Sequence, residues 1–429
     1  MAKAKKEESK PSRESSRKSA DADRRLGKIA GGKGTEPKDA RKQPLFKSHK
    51  EHTGVPFECV ALLLQGGGAL GAYQAGVYQA LAEANIHPNW VAGISIGAVN
   101  AAIIAGNAPK DRLEKLRQFW EILTPRHFGP MGPHIESALA QGDEARSFWN
   151  QALAATVVVT GIPGFFLPRV PSPVLFPPGT LEATSFYDTK QFRATLEELI
   201  DFDRLNAGEI RYSAGAVNIR TGNFTYFDTE THTIGPEHVM ASGALPPGFP
   251  PVEIEGESFW DGGLVSNTPL QWVVDAGAGL DMLVFQVDLW CAEGAFPRNI
   301  AEVMTRNKEI QYSSRTRANT DWYKRAKKVR CALASLLEKL PPELMKSPEA
   351  EFLKDSADHS VTNIIHLIYH SQAYEGFSKD FEFSRLTMDE HWRTGYNEAV
   401  RTLRHPEVVA RPRSHDGVFT FDLAVDGRE

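Results

Sequence analysis

The fold is decided by the stretch Cys59-Val-Ala-Leu-Leu-Leu-Gln-Gly-Gly-Gly-Ala-Leu-Gly71 and by Trp90-Val-Ala-Gly-Ile-Ser-Ile-Gly97. The continuous apolar run that begins at Cys59 predicts a strand buried on both faces. A glycine cluster follows it, and residues 72–84 have the apolar spacing of a helix. Residues 90–92 predict a second strand and residues 98–105 a second helix. Strand, glycine loop, helix, strand, turn and helix in this order predict an α/β fold with a parallel sheet.

The turn Gly93-Ile-Ser-Ile-Gly97 matches the nucleophile-elbow pattern Gly-x-Ser-x-Gly. Such a turn holds the serine in strained geometry so that its hydroxyl is presented, and flanking glycines let the neighbouring backbones approach. The helix that follows directs its N-terminal amides toward developing negative charge. We therefore predict Ser95 as a nucleophile supported by Gly93 and Gly97, with an ordinary turn serine as the alternative.

The cluster Gly66-Gly67-Gly68 stands between a predicted strand and a predicted helix. Glycine lets several backbone N–H groups converge on one anion, which predicts donors for an oxyanion. The same cluster matches the dinucleotide fingerprint Gly-x-Gly-x-x-Gly, which needs an acidic residue about 20 positions later. No Asp or Glu lies between Asn85 and Lys110, so the nucleotide interpretation is disfavoured.

Asp261 lies in Trp260-Asp-Gly-Gly263, which taken alone is an ordinary turn sequence. Beside a serine nucleophile it becomes a candidate base, because burial would raise its pKa above the value of about 4 that it has in water. A Ser–His–Asp triad is the alternative, since several histidines follow Asp261, although none lies in a motif: His359, His366, His370, His391, His405 and His415. The strand predicted around His366 argues against a pair of metal-binding histidines on one helix face. We expect neither a metal nor a cofactor.

Together these blocks resemble the patatin-like phospholipases. The matching pieces, in the same order across about residues 60 to 287, are Gly66–Gly71, Gly93–Asn100, Ala241–Pro251 and Asp261–Gly263. The resemblance implies a three-layer α/β/α fold with a mainly parallel central sheet, and a Ser–Asp dyad without histidine. The site residues that it implies are Ser95 as nucleophile, Asp261 as base beside Gly262 and Gly263, and an oxyanion hole of the amides of Gly66, Gly67, Gly68 and Ala69. It also implies calcium-independent hydrolysis of phospholipid or neutral-lipid esters through an acyl-enzyme.

One departure concerns the substrate. Many members of this family carry Arg or Lys shortly after the glycine triplet, where this chain has Leu70. A cationic contact to a phosphate would then be missing, which weakens a phospholipid assignment more than a hydrolase assignment.

Three regions are predicted along the chain: a disordered basic tail at 1–55, a catalytic domain at 56–290, and a mostly helical C-terminal extension at 291–429 packed on it. The extension resembles one found on a bacterial subgroup of the family, with a strand predicted at Val361–Tyr369 and a helix at Asp389–Leu403. Between residues 125 and 184, recurring Pro and Gly predict a long irregular insertion. It either lines an acyl chain, covers the site as a lid or packs over the core.

Charge and cysteine usage bear on location. The first 50 residues hold 16 Lys and Arg against 7 Asp and Glu, a net +9, which leaves −14 for the remainder. Such a basic segment either is simply solvated or docks on an anionic membrane or granule surface. Three cysteines without metal or disulfide spacing favour a reducing compartment. The sequence shows neither a signal sequence nor an apolar run of about 18 residues, so we expect a cytoplasmic protein. We expect it to contact lipid peripherally and not to bind nucleic acid.

Three functions fit these observations, and they differ in substrate or in class. The first is a lipid acyl hydrolase. The second is an intracellular polyhydroxyalkanoate depolymerase or neutral-lipid esterase, which would suit the same basic segment and apolar insertion. The third is a non-enzymatic lipid- or granule-binding protein. The oligomeric state stays open.

Overall fold

The computed structural model describes residues 45–124, 141–313, 316–412 and 417–423. The strands are β1 Cys59–Leu64, β2 Trp90–Ile94, β3 Leu167–Pro168, β4 Tyr187–Asp188, β5 Arg211–Asn218, β6 Phe224–Asp228, β7 Val252–Ile254, β8 Glu257–Asp261, β9 Met282–Asp288, β10 Thr362–Ile368 and β11 Val418–Phe421. The α-helices are α1 Ala72–Glu83, α2 Ile96–Ala105, α3 Arg112–Leu123, α4 Asp143–Thr160, α5 Lys190–Leu199, α6 Phe202–Asn206, α7 Pro236–Ser242, α8 Leu270–Ala276, α9 Ile300–Tyr312, α10 Thr316–Leu337, α11 Pro348–Lys354, α12 Arg385–Leu403 and α13 Pro406–Val409.

The central sheet of the described residues runs in the order β11-β10-β9-β1-β2-β5-β8-β7, and β6 pairs with β5. All pairings from β11 to β5 are parallel, whereas β6, β7 and β8 add antiparallel pairings at one end. The mainly parallel sheet predicted from alternating strands and helices is confirmed.

The apolar run of β1 is continuous because both faces of the strand are covered. Val60, Leu62 and Leu64 belong to a core that includes residues of α1, α2, α3 and α12. The intervening side chains of β1 belong to a second core that includes residues of α8. The three-layer α/β/α arrangement is thereby confirmed.

The C-terminal region continues the same sheet. Strands β10 and β11 extend it beyond β9, and helix α12 packs along α1. The two helices approach so closely that a Cβ on Gly76 would overlap the carbonyl of Trp392, and one on Gly395 the carbonyl of Tyr73. The predicted strand near residue 365 and the predicted helix near residue 396 are confirmed. The extension therefore shares the sheet with the residues before it, in addition to packing on them.

Helix α4 lies inside the insertion that was predicted to be irregular, so that prediction is wrong for residues 143–160. The buried positions of this helix recur at three- and four-residue spacing: Arg146, Asn150, Leu153, Ala154 and Val157. Because two of the five are polar, the helical periodicity of apolar residues was hidden. Residues 125–140 of the insertion lie outside the described residues.

Residues 45–55, which the predicted boundary assigned to the tail, pack against the end of α12. The amide of Phe46 donates to Arg404 O at 2.9 Å, and His52 Nε2 lies 2.7 Å from Leu403 O. The remainder of the predicted tail, residues 1–44, lies outside the described residues. None of the helices in the described ranges combines the length and the hydropathy needed to span a membrane.

Candidate active site

Ser95 lies in the sharp turn between β2 and α2, with φ of 55° and ψ of −126°. Left-handed backbone is strained for a residue that carries a Cβ, and such strain is typical of nucleophile turns. A Cβ on Gly93 would overlap the carbonyl of Gly97, and a Cβ on Gly97 would overlap that of Leu64. The Ser95 N–H donates to Ser242 Oγ at 3.0 Å. Close backbone contacts therefore hold the turn, as the spacing of its glycines predicts.

Asp261 comes close to Ser95 because two strands pair with successive residues of β5. Ile94, which ends β2, pairs with Gly215. Asp261, which ends β8, pairs with Ala216. Since β6 occupies the other edge of β5 over residues 213–217, β2 and β8 meet end to end on one edge. The two candidate residues thus meet where β2 and β8 adjoin, and no local sequence pattern predicts this meeting.

The carboxylate of Asp261 is buried, with 2% of the residue exposed. Its Oδ1 accepts the Gly263 N–H at 2.7 Å, and the Ser95 side chain lies close enough to favour its charged form. Gly262 permits the approach of the two strands, since a Cβ there would lie 2.5 Å from Gly215 O. Burial raises the pKa of Asp261 to about 7, although Ser95 and Gly263 oppose this shift. A carboxylate with a near-neutral pKa is a competent proton acceptor for a hydroxyl.

Two of the four amides predicted to bind an oxyanion are already committed. The Gly66 N–H donates to Asn267 Oδ1 at 3.1 Å. The Ala69 N–H donates to Asp380 O at 2.8 Å, and Ala69 does not line the cavity beside Ser95. The structure therefore disagrees with an oxyanion role for the amides of Gly66 and Ala69, because each N–H points at another acceptor.

Gly67 and Gly68 are the remaining members of the glycine loop, and both line the same cavity as Ser95. Among the hydrogen bonds of the described residues, neither N–H of this pair has an acceptor. Gly68 has φ of +54°, and a Cβ there would overlap the carbonyl of Asp380, so glycine is required. Leu70, which replaces the family cation, is fully buried in the core.

A cavity of about 360 Å³ contains Ser95, Asp261 and the glycine loop. Its walls are mostly apolar. The insertion supplies Val157, Val158, Phe165 and Phe166, and Tyr187 follows shortly after it. Phe249 completes an aromatic cluster with Phe165 and Phe166, at ring-centroid distances of 5.7 and 5.2 Å. Val157 and Phe166 also belong to the hydrophobic core, so the insertion both lines an apolar cavity and packs over the core.

The C-terminal region also lines the cavity, with Lys308, Tyr312, Asp380, Phe381 and Phe383. Lys308 Nζ lies 2.5 Å from Asp380 Oδ1, so the cation on this wall is paired. Burial and the nearby carboxylates of Asp261 and Asp380 raise the pKa of Tyr312 to about 12. The tyrosine is therefore neutral and can act only as a hydrogen-bonding phenol at ordinary pH.

Several residues of the site escaped prediction. Asn267 Nδ2 donates to Gly66 O and to Tyr312 O, both at 2.9 Å, and thereby joins the glycine loop to α9. Two signals in the sequence could have indicated such residues. Asn267 lies shortly after Asp261, and Ser242 lies in the Ala241–Pro251 block. Lys308 and Asp380 carried none, because only tertiary packing brings the C-terminal region to this cavity.

No histidine in the described part of the chain lines the cavity. His391 instead lies behind the glycine loop, with Nδ1 3.4 Å from Ala69 O and Nε2 2.6 Å from Glu375 Oε1. Burial disfavours both charges, but their mutual attraction raises the pKa of His391 and lowers that of Glu375. His366 lies in β10, the strand that was predicted there. The described residues hold no group of three or more His, Cys, Asp or Glu side chains arranged for a metal ion.

Comparisons with known proteins show what this chain is similar to. A family model described as patatin-like phospholipase matches residues 62–273, and one described as patatin phospholipase matches residues 310–415. Lysophospholipase NTE1 of Yarrowia lipolytica is 24% identical over 250 residues, which are 58% of this chain and 14% of that protein. This chain therefore matches only a small part of that relative. The crystal structure of VipD from Legionella pneumophila superposes with a TM-score of 0.36 at 14% identity, covering 94% of this chain and 78% of VipD.

The two family models together cover both the residues that carry Ser95 and Asp261 and the C-terminal region that completes the cavity. The chain belongs to the patatin-like phospholipase family, a family of carboxylic ester hydrolases that act on lipids.

Proposed function

We propose that this protein hydrolyses lipid acyl esters with Ser95 as nucleophile and Asp261 as its base. The observation that supports this most strongly is that the two side chains lie beside each other and line the same apolar cavity. The strained turn presents the hydroxyl, and burial gives the carboxylate a pKa of about 7, so the pair suits proton transfer near neutral pH.

In the proposed acylation, Ser95 Oγ forms a bond to the ester carbonyl carbon while Asp261 accepts the hydroxyl proton. The N–H groups of Gly67 and Gly68, whose position in the cavity supports this role, donate to the oxyanion. The tetrahedral intermediate collapses, the C–O bond to the alcohol breaks, and Asp261 returns the proton to that alcohol. Asp261 then deprotonates a water molecule, whose oxygen attacks the acyl carbon. The bond from that carbon to Ser95 Oγ breaks, Asp261 returns the proton to Ser95, and the carboxylic acid leaves.

A neutral ester is a second candidate substrate, and the charges of the cavity favour it over a phospholipid. Lys308 is the cation that lines the described cavity, and it is paired with Asp380. Leu70 is buried in the core and makes no contribution to the cavity wall. A neutral lipid or a polyester such as polyhydroxyalkanoate would need no additional cation. The basic first 50 residues support peripheral contact with a membrane or granule, and a cytoplasmic location belongs to the same proposal.

Two variants test the roles of the two residues. An active-site serine probe should label wild type and Ser356→Ala, an exposed control, but not Ser95→Ala. Ser95→Ala and Asp261→Asn should each lower kcat on a soluble ester by about 10⁴-fold, because each removes one member of the reacting pair. Equal labelling of Ser95→Ala and wild type would exclude Ser95 as the nucleophile. Full activity of Asp261→Asn would show that another group acts as the base.

A substrate panel identifies the ester. Phospholipid, triacylglycerol, short p-nitrophenyl esters and polyhydroxybutyrate should be compared at equal enzyme concentration, with Ser95→Ala as the blank. Release of fatty acid from triacylglycerol in excess of phospholipid would support the neutral-lipid candidate. Release of hydroxy acid would support the polyester candidate. Lipid or granule binding without any turnover would favour a non-enzymatic binding protein.

A further inference from the structure

One wall of the cavity is apolar on both of its faces. Phe166, which precedes β3, and Tyr187, which begins β4, line the cavity at the short antiparallel pair of β3 and β4. Residues that flank this pair on the outside are also apolar: Val170 is 90% exposed and Phe186 is 51% exposed. An outer face that met only water would carry polar side chains. The apolar inner face is explained by the cavity, but the apolar outer face needs another explanation.

Further exposed apolar side chains adjoin this wall and form what we call the mouth patch. The mouth patch consists of Val158, Val159, Val170, Val174, Leu175, Leu181 and Phe186. Its members are tied together by local contacts. The Arg169 N–H donates to Phe186 O at 2.9 Å, the Tyr187 hydroxyl donates to Val158 O at 2.9 Å, and the turns at 173–175 and 181–184 pack on each other.

The mouth patch is almost free of charge. In the 41 residues from 147 to 187, Arg169 and Glu182 are the charged side chains. The side chain of Arg169 is 7% exposed and faces Asp188 at 3.7 Å, so its charge is both shielded and paired. A run of this length with so little exposed charge is unusual for a surface in contact with water, where charged residues dominate.

The mouth patch also borders the entrance of the cavity. Among the described lining residues, those that are exposed are Val158 and Pro247. Val158 belongs to the mouth patch itself, and the amide of Phe186 donates to Pro247 O at 3.0 Å. A molecule that reaches Ser95 past these exposed residues therefore passes beside the mouth patch.

We propose that the mouth patch docks this protein on a lipid surface whose outer layer is uncharged or zwitterionic. The acyl ester then enters the cavity directly from that surface. This inference rests on the proposed function, since it assigns the surface from which the ester is taken. A protein partner or a second copy of this chain seated on the mouth patch would cover the entrance, whereas a lipid layer supplies the substrate through it. The lack of exposed charge matches acyl chains and zwitterionic headgroups better than an anionic surface.

Vesicle binding tests the docking. The variant Val170→Ser/Val174→Ser/Leu175→Ser/Phe186→Ser removes four members of the patch, none of which lines the cavity. The control Val329→Ser/Leu336→Ser/Phe352→Ser changes side chains that are 67%, 56% and 77% exposed on α10 and α11. In sedimentation with phosphatidylcholine vesicles, the patch variant should bind at least about tenfold more weakly than wild type, and the control should bind as wild type does. Circular dichroism melts confirm that each variant is folded.

A second measurement separates docking from catalysis. The patch variant should hydrolyse a water-soluble short-chain ester at the wild-type rate but should lose activity on an ester dispersed in phosphatidylcholine vesicles. Ser95→Ala should bind vesicles as wild type does. Loss of docking and loss of hydrolysis can therefore be distinguished. Binding that is equal in the patch variant and wild type, or that depends only on added anionic lipid, would overturn the proposal. Loss of activity on both esters in the folded patch variant would also overturn it.

Discussion

At the scale of single residues, the chemistry depends on where one carboxylate lies. Asp261 is buried, and burial raises its pKa to about 7 although Ser95 and Gly263 favour its charged form. Asp288 is also buried with a pKa raised to about 7, yet it does not line the cavity. The two carboxylates differ in their neighbours, because the Ser95 side chain shifts the pKa of Asp261 and not that of Asp288.

This difference predicts the pH dependence of activity. A base must be ionised to accept a proton, so kcat/KM for a soluble ester should rise with pH through about 7 and level off above it. A pH–rate profile from about pH 5 to about pH 9 measures this transition. Asp288→Asn is the matched control and should keep the same profile. A flat profile in wild type, or one that disappears in Asp288→Asn, would contradict the role of Asp261.

The same pKa shift predicts a change in stability. The folded pKa of Asp261 lies above its ordinary value of 3.8, so ionisation costs folding free energy. That cost is absent below the ordinary value, grows as pH rises between the two values and is complete above about 7. Asp261→Asn cannot ionise there, so its Tm relative to wild type should increase with pH across this window and then stay constant. A relative Tm that is independent of pH would contradict the burial of a charged carboxylate.

At the scale of elements, glycines decide how closely helices and strands approach. Gly97 brings α2 against β1, and Gly262 brings the end of β8 against β5. Gly76 and Gly395 do the same for α1 and α12, which joins the C-terminal region to the helix that follows the glycine loop. These contacts set the distances within the site although most of the glycines do not touch a substrate.

A methyl group at the crossing of α1 and α12 should therefore destabilise the protein. Gly395→Ala places a Cβ against the carbonyl of Tyr73, so the helices must separate, at a cost of about 1–3 kcal/mol in the free energy of unfolding. Denaturant unfolding followed by circular dichroism measures the cost. Gly376→Ala, where an added Cβ meets no atom within 4 Å, is the control and should change little. Equal stability of both variants would contradict the close crossing.

At the scale of the whole molecule, the cavity belongs to two regions of the chain at once. The first region supplies Ser95, the glycine loop and Asp261. The C-terminal region supplies Lys308, Tyr312 and Asp380, and β10 covers the edge of β9. The glycine loop itself is bonded to this region through the Ala69 amide and Asp380 O. The proposed catalytic residues and the cavity wall therefore depend on one sheet that both regions share.

A chain that ends after residue 290 should accordingly fail to form an active protein. Strand β9 would lose its partner β10 and expose an apolar edge, which favours aggregation. We expect little soluble protein and no labelling by an active-site serine probe. Removal of residues 1–44, a segment that holds none of the proposed catalytic residues, should instead leave hydrolysis of a soluble ester intact. A soluble, labelled fragment of residues 45–290 would show that the first region folds without the second.

The sequence by itself determined the α/β class, the parallel sheet, the strand–turn–helix around Ser95 and the family. These follow from local patterns: a continuous apolar strand, glycines at fixed spacing and a helix that begins at the turn. It also identified Asp261, because the family motif is contiguous. It failed at helix α4, where buried Arg146 and Asn150 interrupt the apolar periodicity.

Only the tertiary structure decided which residues share the cavity and which amides can still donate. The meeting of β2 and β8 on one edge of β5 brings Ser95 and Asp261 together, and strand pairing across distant segments leaves no local signal. The bonds of Gly66 to Asn267 and of Ala69 to Asp380 restrict the oxyanion donors to Gly67 and Gly68 in our proposal. The wall built by Lys308 and Asp380 likewise arises from packing between segments that are remote in the chain.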